Sequence, residues 1–352
     1  MNNLHTVKKQ KLPPRPWVLY VHNSERYWGC EAYRMIIPCD QNQRQGRVMD
    51  YAHWSEVEKL FYKDPLKIMN YDVFVFPRAG FAVPHQSQRL RGLGKKVVFE
   101  IDDDFTGKYR EVIADKKTRE GIWALAKDAN ASLCSTPYLA KLMYEETGNQ
   151  SYVVPNSVRM CDWQYVRKHK RLTIGLSGSD THYADWVVLE TVLPRVIEKY
   201  PHVDLQIGGY LPPYLQDLGE RFPGRVIHRK WVPYLDHPAF AGQVHIGLCP
   251  LDPIDGFNQS KSGIKAVELM ASRVAVLATD MRVYSEVIDH QRTGLLTPQE
   301  PEAWYQNICV LIEEEDLRGR LAAKGQAHVA KHYSITTNGD KWWNAFRTIA
   351  EV

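Results

Sequence analysis

Lys261, Lys265 and Glu268 carry the clearest chemistry in this chain, within F-N-Q-S-K-S-G-I-K-A-V-E from Phe257 to Glu268. An apolar run, V-H-I-G-L-C-P from Val244 to Pro250, reads as a buried strand before them, and V-A-V-L-A from Val274 to Ala278 as another behind. The order is strand, polar loop, helix, strand. Ser260 or Ser262 caps the helix in this reading, so its free backbone N–H groups point back into the loop. A helix N-terminus flanked by two ammonium groups suits phosphate. Glu268 follows three residues after Lys265, on the same face and one turn deeper. A carboxylate there repels phosphate and suits paired hydroxyls, such as those of a ribose. Singly, the lysines read as a solvated helix end and Glu268 as an intrahelical ion pair. Together they describe a pocket for a nucleotide-diphospho-sugar.

Other strand ends supply further candidates. K-V-V-F-E-I, Lys96 to Ile101, empties into Asp102, Asp103 and Asp104. Three adjacent carboxylates repel one another, an odd use of them if the role is only structural. Arg78 follows D-V-F-V-F-P at the end of another strand, where an active-site cation or a surface ion pair fits equally. L-T-I-G-L-S-G-S-D-T-H, starting at Leu172, gives a strand, a tight turn at Gly178, and N–H groups from Ser179 onward that can reach a second side of a diphosphate. His182 then opens a helix, as a phosphate ligand or as a capping residue. Gly29, in the loop after the first strand W-V-L-Y-V, allows close backbone approach.

The elements that must hold these residues alternate, strand with helix, twice over. This predicts two doubly wound α/β domains facing across a cleft. Residues 1–16 read as a flexible basic arm, 17–165 as the first domain and 170–334 as the second. The amphipathic 337–352 segment, with Trp342, Trp343 and Phe346, reads as a last helix. The 352 residues leave room for two cores, and 44% hydrophobic with 24% charged residues is an ordinary globular balance. No apolar run reaches the ~20 residues that span a bilayer. The polar, basic N-terminus lacks the apolar core of a secretory signal, which points to the cytoplasm. Six scattered cysteines without a C-x-x-C pair read as free thiols. A net charge of +4 permits a phosphate-bearing partner without demanding nucleic acid.

The stretch Phe257 to Leu296 resembles the donor-binding region of retaining glycosyltransferases of the GT-B fold, family 4 type. S-K-S-G-I-K-A-V-E-L-M-A, V-A-V-L-A-T-D, Y-S-E-V-I and R-T-G-L-L carry the resemblance. Many members have E-x-x-x-x-x-x-x-E; here the second glutamate is Glu268 and the first falls on Ser260, so the pair is incomplete. V-V-P-N-S-V at 153–158 resembles the end of the family's first domain, and the last helix of that fold crosses back onto the first domain. The resemblance further implies that Trp231, Val232 and Tyr234 are candidates to hold the base edge, mostly through backbone groups, and that the 102–104 loop lies beside the reacting sugar. Many relatives use an Arg and a Lys where this chain has Ser177, Ser179 and His182.

What the resemblance implies is sugar transfer from a UDP- or GDP-linked donor with retention, by front-face displacement in which the departing phosphate takes the acceptor's proton. No metal is then required. Asp102-x-Asp104 also fits the D-x-D of the other large glycosyltransferase fold, GT-A, where such oxygens hold Mg²⁺ or Mn²⁺. However, the nucleotide features here follow residue 170. A non-catalytic nucleotide-sugar or glycan-binding protein is the alternative, and Ser260 is what favours it. The acceptor stays open: a glycan, a lipid-linked glycan, or a hydroxylated base in phage DNA. The basic R-L-R-G-L-G-K-K, Arg89 to Lys96, could meet a peripheral membrane surface or DNA phosphates, or be simply solvated.

Overall fold

The computed structural model describes residues 12–23, 29–78, 84–104 and 116–351. It contains two six-stranded parallel sheets. The first sheet is built from β1 (Val18–His22), β2 (Met49–His53), β3 (Val73–Pro77), β4 (Lys96–Ile101), β5 (Ala131–Cys134) and β6 (Ser151–Val153), in the order β2-β1-β3-β4-β5-β6. The second holds β7 (Leu172–Gly178), β8 (Val203–Gly209), β9 (Val226–Arg229), β10 (Ile246–Cys249), β11 (Ala275–Thr279) and β12 (Leu295–Thr297), in the order β12-β11-β10-β7-β8-β9. Both orders reverse beside their first strand, so each sheet has a crevice at its carboxyl edge.

The alternation that makes a strand two-faced is visible in the first core. Val18, Tyr20, Val73, Val75 and Val98 pack on one face, while Leu19, Val21, Phe74, Phe76, Val97 and Phe99 pack on the other. The first of these clusters continues into the second domain through Ala266, Val267 and Met270 and takes in Trp342 and Phe346 of the last helix, Ile335–Glu351. That helix lies on the first domain. Tyr20 meets Phe346 edge-on at 6.0 Å, Arg34 stacks 4.5 Å from the Trp342 ring, and Arg47 pairs with Asp340 at 2.7 Å. The two chain crossings between domains are bonded to one another. The Val158 N–H donates to Tyr333 at 2.9 Å, and the Ile335 N–H donates to Val158 at 2.9 Å.

Several local expectations change. The helix after β1 runs past Pro38 to Arg44, through a π-helical turn at Ala32–Ile36. Proline has no N–H to donate, and widening the turn accommodates the missing bond while burying Tyr33 and Arg34. Of the basic arm, residues 1–11 lie outside the described residues. Beyond them, Arg15 is anchored to Asp72 at 2.7 Å. The segment joining the domains is also tied down: the Lys168 ammonium donates to the carbonyls of Gly242, Val244 and Ser272 at 2.8–2.9 Å. Burial and the nearby Arg273 lower that ammonium's pKa to about 7.

Candidate donor site in the interdomain cleft

A cavity of about 440 Å³ opens between the carboxyl edges of the two sheets. Gly29, Asp102, Asp103, Ser179, His182, Trp231, Val232, Lys261, Ser262, Lys265 and Glu268 all line it, brought together from both domains. Gly178, Ser260, Asp104 and Arg78 do not line it.

The helix Ile264–Ala271 begins at Gly263, and no side chain caps it. Neither serine has the expected capping role. Ser260 ends a separate short helix, Gly256–Ser260, and Ser262 accepts from the Asn156 amide at 2.9 Å across the domain boundary. The first-turn N–H groups of Ile264–Ala271 therefore keep no side-chain partner, which leaves them for a ligand. Lys265 reaches back to the Ser177 carbonyl at 3.0 Å, so its ammonium spans the donor helix and the edge of β7. Burial and Lys261 lower its pKa below the usual lysine range. The Lys261 ammonium stands 4.4 Å from the Phe257 ring centroid. Glu268 makes no ion pair within its own helix. It accepts from the Tyr33 hydroxyl, which comes from the first domain, and meets His237 Nε2 at 3.3 Å. Burial opposes its charge, but His237, Tyr33 and Lys265 hold the carboxyl below its ordinary pKa.

The acidic triplet divides its residues among three surroundings. Asp102 is buried and takes an ion pair from Arg78 Nε at 3.5 Å. Asp103 stays half-exposed on the cavity wall. Burial and the adjacent Asp102 push its pKa up to about 6, against the pull of Lys261. Asp104 is fully buried, and its N–H donates to the Ser260 hydroxyl at 3.0 Å. Asp102 and Asp104 therefore do not converge on the cavity, as a D-x-D metal pair would. Arg78 is no direct site cation either: it sits at φ +46° and braces Glu31, at 3.3 Å, and Asp102. Ser260 occupies the first-glutamate position without facing the cavity. It donates to Phe257 at 2.6 Å and receives Asp104, a clamp between the domains.

The loop after β7 differs most from expectation. No α-helix starts at His182; a 3₁₀ turn spans Asp180–His182, and the next α-helix begins at Val192. Gly178 does not serve a tight turn. It leaves space, since a Cβ there would stand 2.7 Å from the His182 ring and 2.9 Å from Trp186. His182 is buried, bonds Asp185 through Nδ1 at 2.7 Å and stacks on Trp186.

Tyr234, a base-edge candidate, also lines the cavity, whereas sequence reasoning passed over Tyr33, Asn156, Asp185 and His237. Asn156 lies inside V-V-P-N-S-V, but nothing in the spacing of Tyr33 or Asn156 ties them to Glu268 and Ser262, more than 100 positions away. Only His182 and Asp185, three apart, had a local signal. The basic 89–96 stretch lies at the amino end of β4, roughly 20 Å along the strand from the acidic loop. Two of its cations are engaged within the first domain: Arg91 with Asp128 at 2.7 Å and Lys95 with the Met69 carbonyl at 2.6 Å.

The sequence profile of the family described as Glycosyl transferases group 1 matches residues 172–314. The second domain belongs to the glycosyl transferases group 1 family. The chain is 25% identical over 219 residues to the phosphatidyl-myo-inositol mannosyltransferase of Mycobacterium tuberculosis, covering 58% of this chain and 56% of that protein. It thus spans about half the length of the curated relatives it matches. Two solved structures share the whole architecture. Anabaena HepE in complex with UDP and glucose superposes with a TM-score of 0.70 at 13% identity, over 95% of this chain and 100% of that one. Sucrose-phosphate synthase from Thermosynechococcus elongatus gives 0.68 at 13%, over 95% and 99%. At such identities these likenesses show a shared GT-B fold. The group 1 domain contributes both lysines, Glu268 and the His182 loop, while Tyr33, Asn156 and the acidic loop come from outside the matched region.

Proposed function

We propose that this chain is a retaining glycosyltransferase that moves a sugar from a nucleotide-diphospho-sugar to a hydroxyl acceptor without a metal ion. The observation that carries this reading is one cavity with phosphate-binding groups on one wall and carboxylates on the other. Lys261, Lys265 and the uncapped first turn of Ile264–Ala271 face Asp102 and Asp103 across it. As the bond from the sugar carbon to the leaving phosphate breaks, negative charge grows on the diphosphate. The two ammonium groups and the helix N–H groups are already aimed at it, the preorganised electrostatic contribution that dominates such catalysis. The acceptor hydroxyl forms the new bond on the same face and gives its proton to a leaving phosphate oxygen. Asp103, held in place beside Asp102 and Arg78, orients the sugar or the acceptor. Glu268 takes the ribose hydroxyls in place of Tyr33, and the loop at Trp231 and Val232 borders the base.

Metal independence is supported by the side chains themselves. Two lysines supply the counter-charge, and Asp104, whose backbone N–H is bonded to Ser260, does not line the cavity. UDP is the first nucleotide to test, because the HepE structures hold UDP or UDP-glucose. The acceptor is a hydroxyl of a glycan or a lipid-linked glycan. The mannosyltransferase relative, whose name carries a lipid headgroup, supports the second. With Arg91 and Lys95 engaged inside the first domain, the 89–96 stretch adds no support to DNA as the acceptor.

A thermal-shift series with UDP, GDP, ADP and CMP, each with and without EDTA, tests the donor half. A ligand specific to the folded state adds about 2.7 kcal/mol at a hundredfold excess over its dissociation constant. One nucleoside diphosphate should shift the transition equally in both conditions. A shift abolished by EDTA removes the metal-free claim; no shift with any nucleotide removes the donor assignment. The anomeric coupling constant of the transfer product then decides retention.

A further inference from the structure

His182 and Asp185 form a buried pair whose polarity is wrong for the ligand the cleft is built to hold. Burial works against an ionised Asp185, but His182 Nδ1 at 2.7 Å, the Asp252 N–H at 2.9 Å and the Asn258 amide at 2.6 Å keep its pKa low. An ionised carboxylate can only accept, so Nδ1 carries a hydrogen. In the neutral ring Nε2 therefore carries a lone pair. That nitrogen has no partner among the described residues, and the ring forms part of the cavity wall.

The groups acting on the ring are Lys265 and Lys261 from the donor stretch and Asp185 on its own loop; Asp180 and Tyr284 line the same cavity. In the empty cleft, burial and then Lys265 and Lys261 push the His182 pKa down to about 3. Bring a diphosphate between these lysines, and an acceptor nitrogen meets acceptor oxygens. The ring cannot easily turn away: it stacks on Trp186 at 14° and 6.2 Å, and Asp185 fixes its other nitrogen. Protonation is the available remedy. The incoming charge cancels that of the lysines, and Asp185 is already placed to balance an imidazolium.

Accepting the donor-site reading above, we propose that His182 takes up a proton from solvent as the nucleotide diphosphate enters, and holds a phosphate oxygen through Nε2–H as an imidazolium. The proton returns to solvent when the nucleoside diphosphate leaves. Among the described residues, the cleft then meets its donor with three cations in place of two. Raising the pH loosens nucleotide without touching Lys261 or Lys265.

Isothermal titration calorimetry of UDP, GDP and inorganic pyrophosphate at pH 7, in Pipes and in Tris, tests this on the full chain. The dependence of the heat on buffer ionisation counts protons taken up. His182→Asn keeps an amide donor for Asp185 but cannot titrate, so the ligand's own titration cancels in the difference. Wild type should take up more protons than the variant, by up to one. Its affinity should fall relative to the variant by up to about tenfold per pH unit on the alkaline side. Equal proton counts overturn the proposal. Nitrogen NMR of imidazole-labelled wild type covers the case of a variant that does not fold. With the site saturated, Nε2 must move from the lone-pair to the N–H range, and an unmoved resonance overturns the proposal. Binding of none of the three ligands would remove the donor site itself, whereas binding without a proton removes only this inference.

Discussion

The two walls of the cleft answer burial in opposite ways. On the first-domain side burial raises acids: Glu100, beneath the acidic loop, to about 7, against the pull of Arg34, and Asp103 to about 6. On the second-domain wall burial works on bases: it lowers the pKa of both His182 and Lys265, while Glu268 stays ionised. Burial is common to both walls, and neighbours decide the rest. Asp103 sits beside another aspartate, whereas Glu268 has Tyr33 and His237. The proposed function, with one wall for anions and one for sugar hydroxyls, needs both arrangements. The difference shows that a carboxylate's role here follows from its donors rather than from its position in a motif.

Removing both second-wall cations is the harshest challenge to this contrast. Lys261→Ala with Lys265→Ala should weaken nucleotide binding roughly a thousandfold, at about 1.5–3 kcal/mol for each charge-assisted bond. Unchanged calorimetric affinity would mean that this wall does not bind the diphosphate. Asp103→Asn should instead slow transfer on the order of tenfold to a hundredfold, with nucleotide affinity nearly intact. In wild type the rate should fall as pH drops through about 6, where Asp103 takes up its proton, and the variant should lack that limb. Loss of nucleotide binding in this variant would merge the two walls into one.

Stability should separate the walls as well. Between pH 6.5 and about 3 the unfolded chain protonates a histidine that the folded chain keeps neutral, so stability falls with acid by up to about 1.4 kcal/mol per pH unit. Glu100 acts in reverse: its proton is retained in the fold between 4.5 and about 7, so its contribution is full below 4.5 and lost as pH rises through 7. Urea midpoints of wild type, His182→Asn and Glu100→Gln should therefore diverge in opposite directions across this range. Parallel curves would erase the distinction. The mildest change is Tyr33→Phe, which removes the hydroxyl that bridges the walls at Glu268. We expect a loss of about 1 kcal/mol in the empty protein and little change in nucleotide affinity, read by the same denaturation with and without ligand.

How much of this was legible differs between the walls for a physical reason. On the second wall, one strand, one loop and one helix carry Lys261, Lys265 and Glu268 within a few positions, so spacing alone reports their proximity. On the first wall the functional groups arrive from the ends of separate strands. Asp102, Asp103 and Asp104 look alike in sequence, yet the chain's turn after β4 sends them to an ion pair, to the cavity and to Ser260. Strands such as Val73–Pro77 announce themselves by continuous apolar runs, whereas the edge strand β2, M-D-Y-A-H, mixes polar and apolar residues and went unread. Gly178 was assigned a turn because glycine commonly serves one. Its real constraint, the faces of His182 and Trp186, exists only after folding.

The bond pair joining Val158 to Tyr333 and Ile335 brings the entry and exit of the second domain to a single point. Topologically, residues 159–333 are a cassette inserted into a first domain that owns both flanking segments. Such a cassette can be exchanged between chains as one piece, its ends already adjacent. The seam residues facing it, Tyr33, Asp104, Thr136 and Asn156 among them, and the apolar cluster shared through Ala266, Val267 and Met270 must match the newcomer. Donor preference could therefore be inherited or engineered separately from acceptor preference, with compatibility decided along this seam.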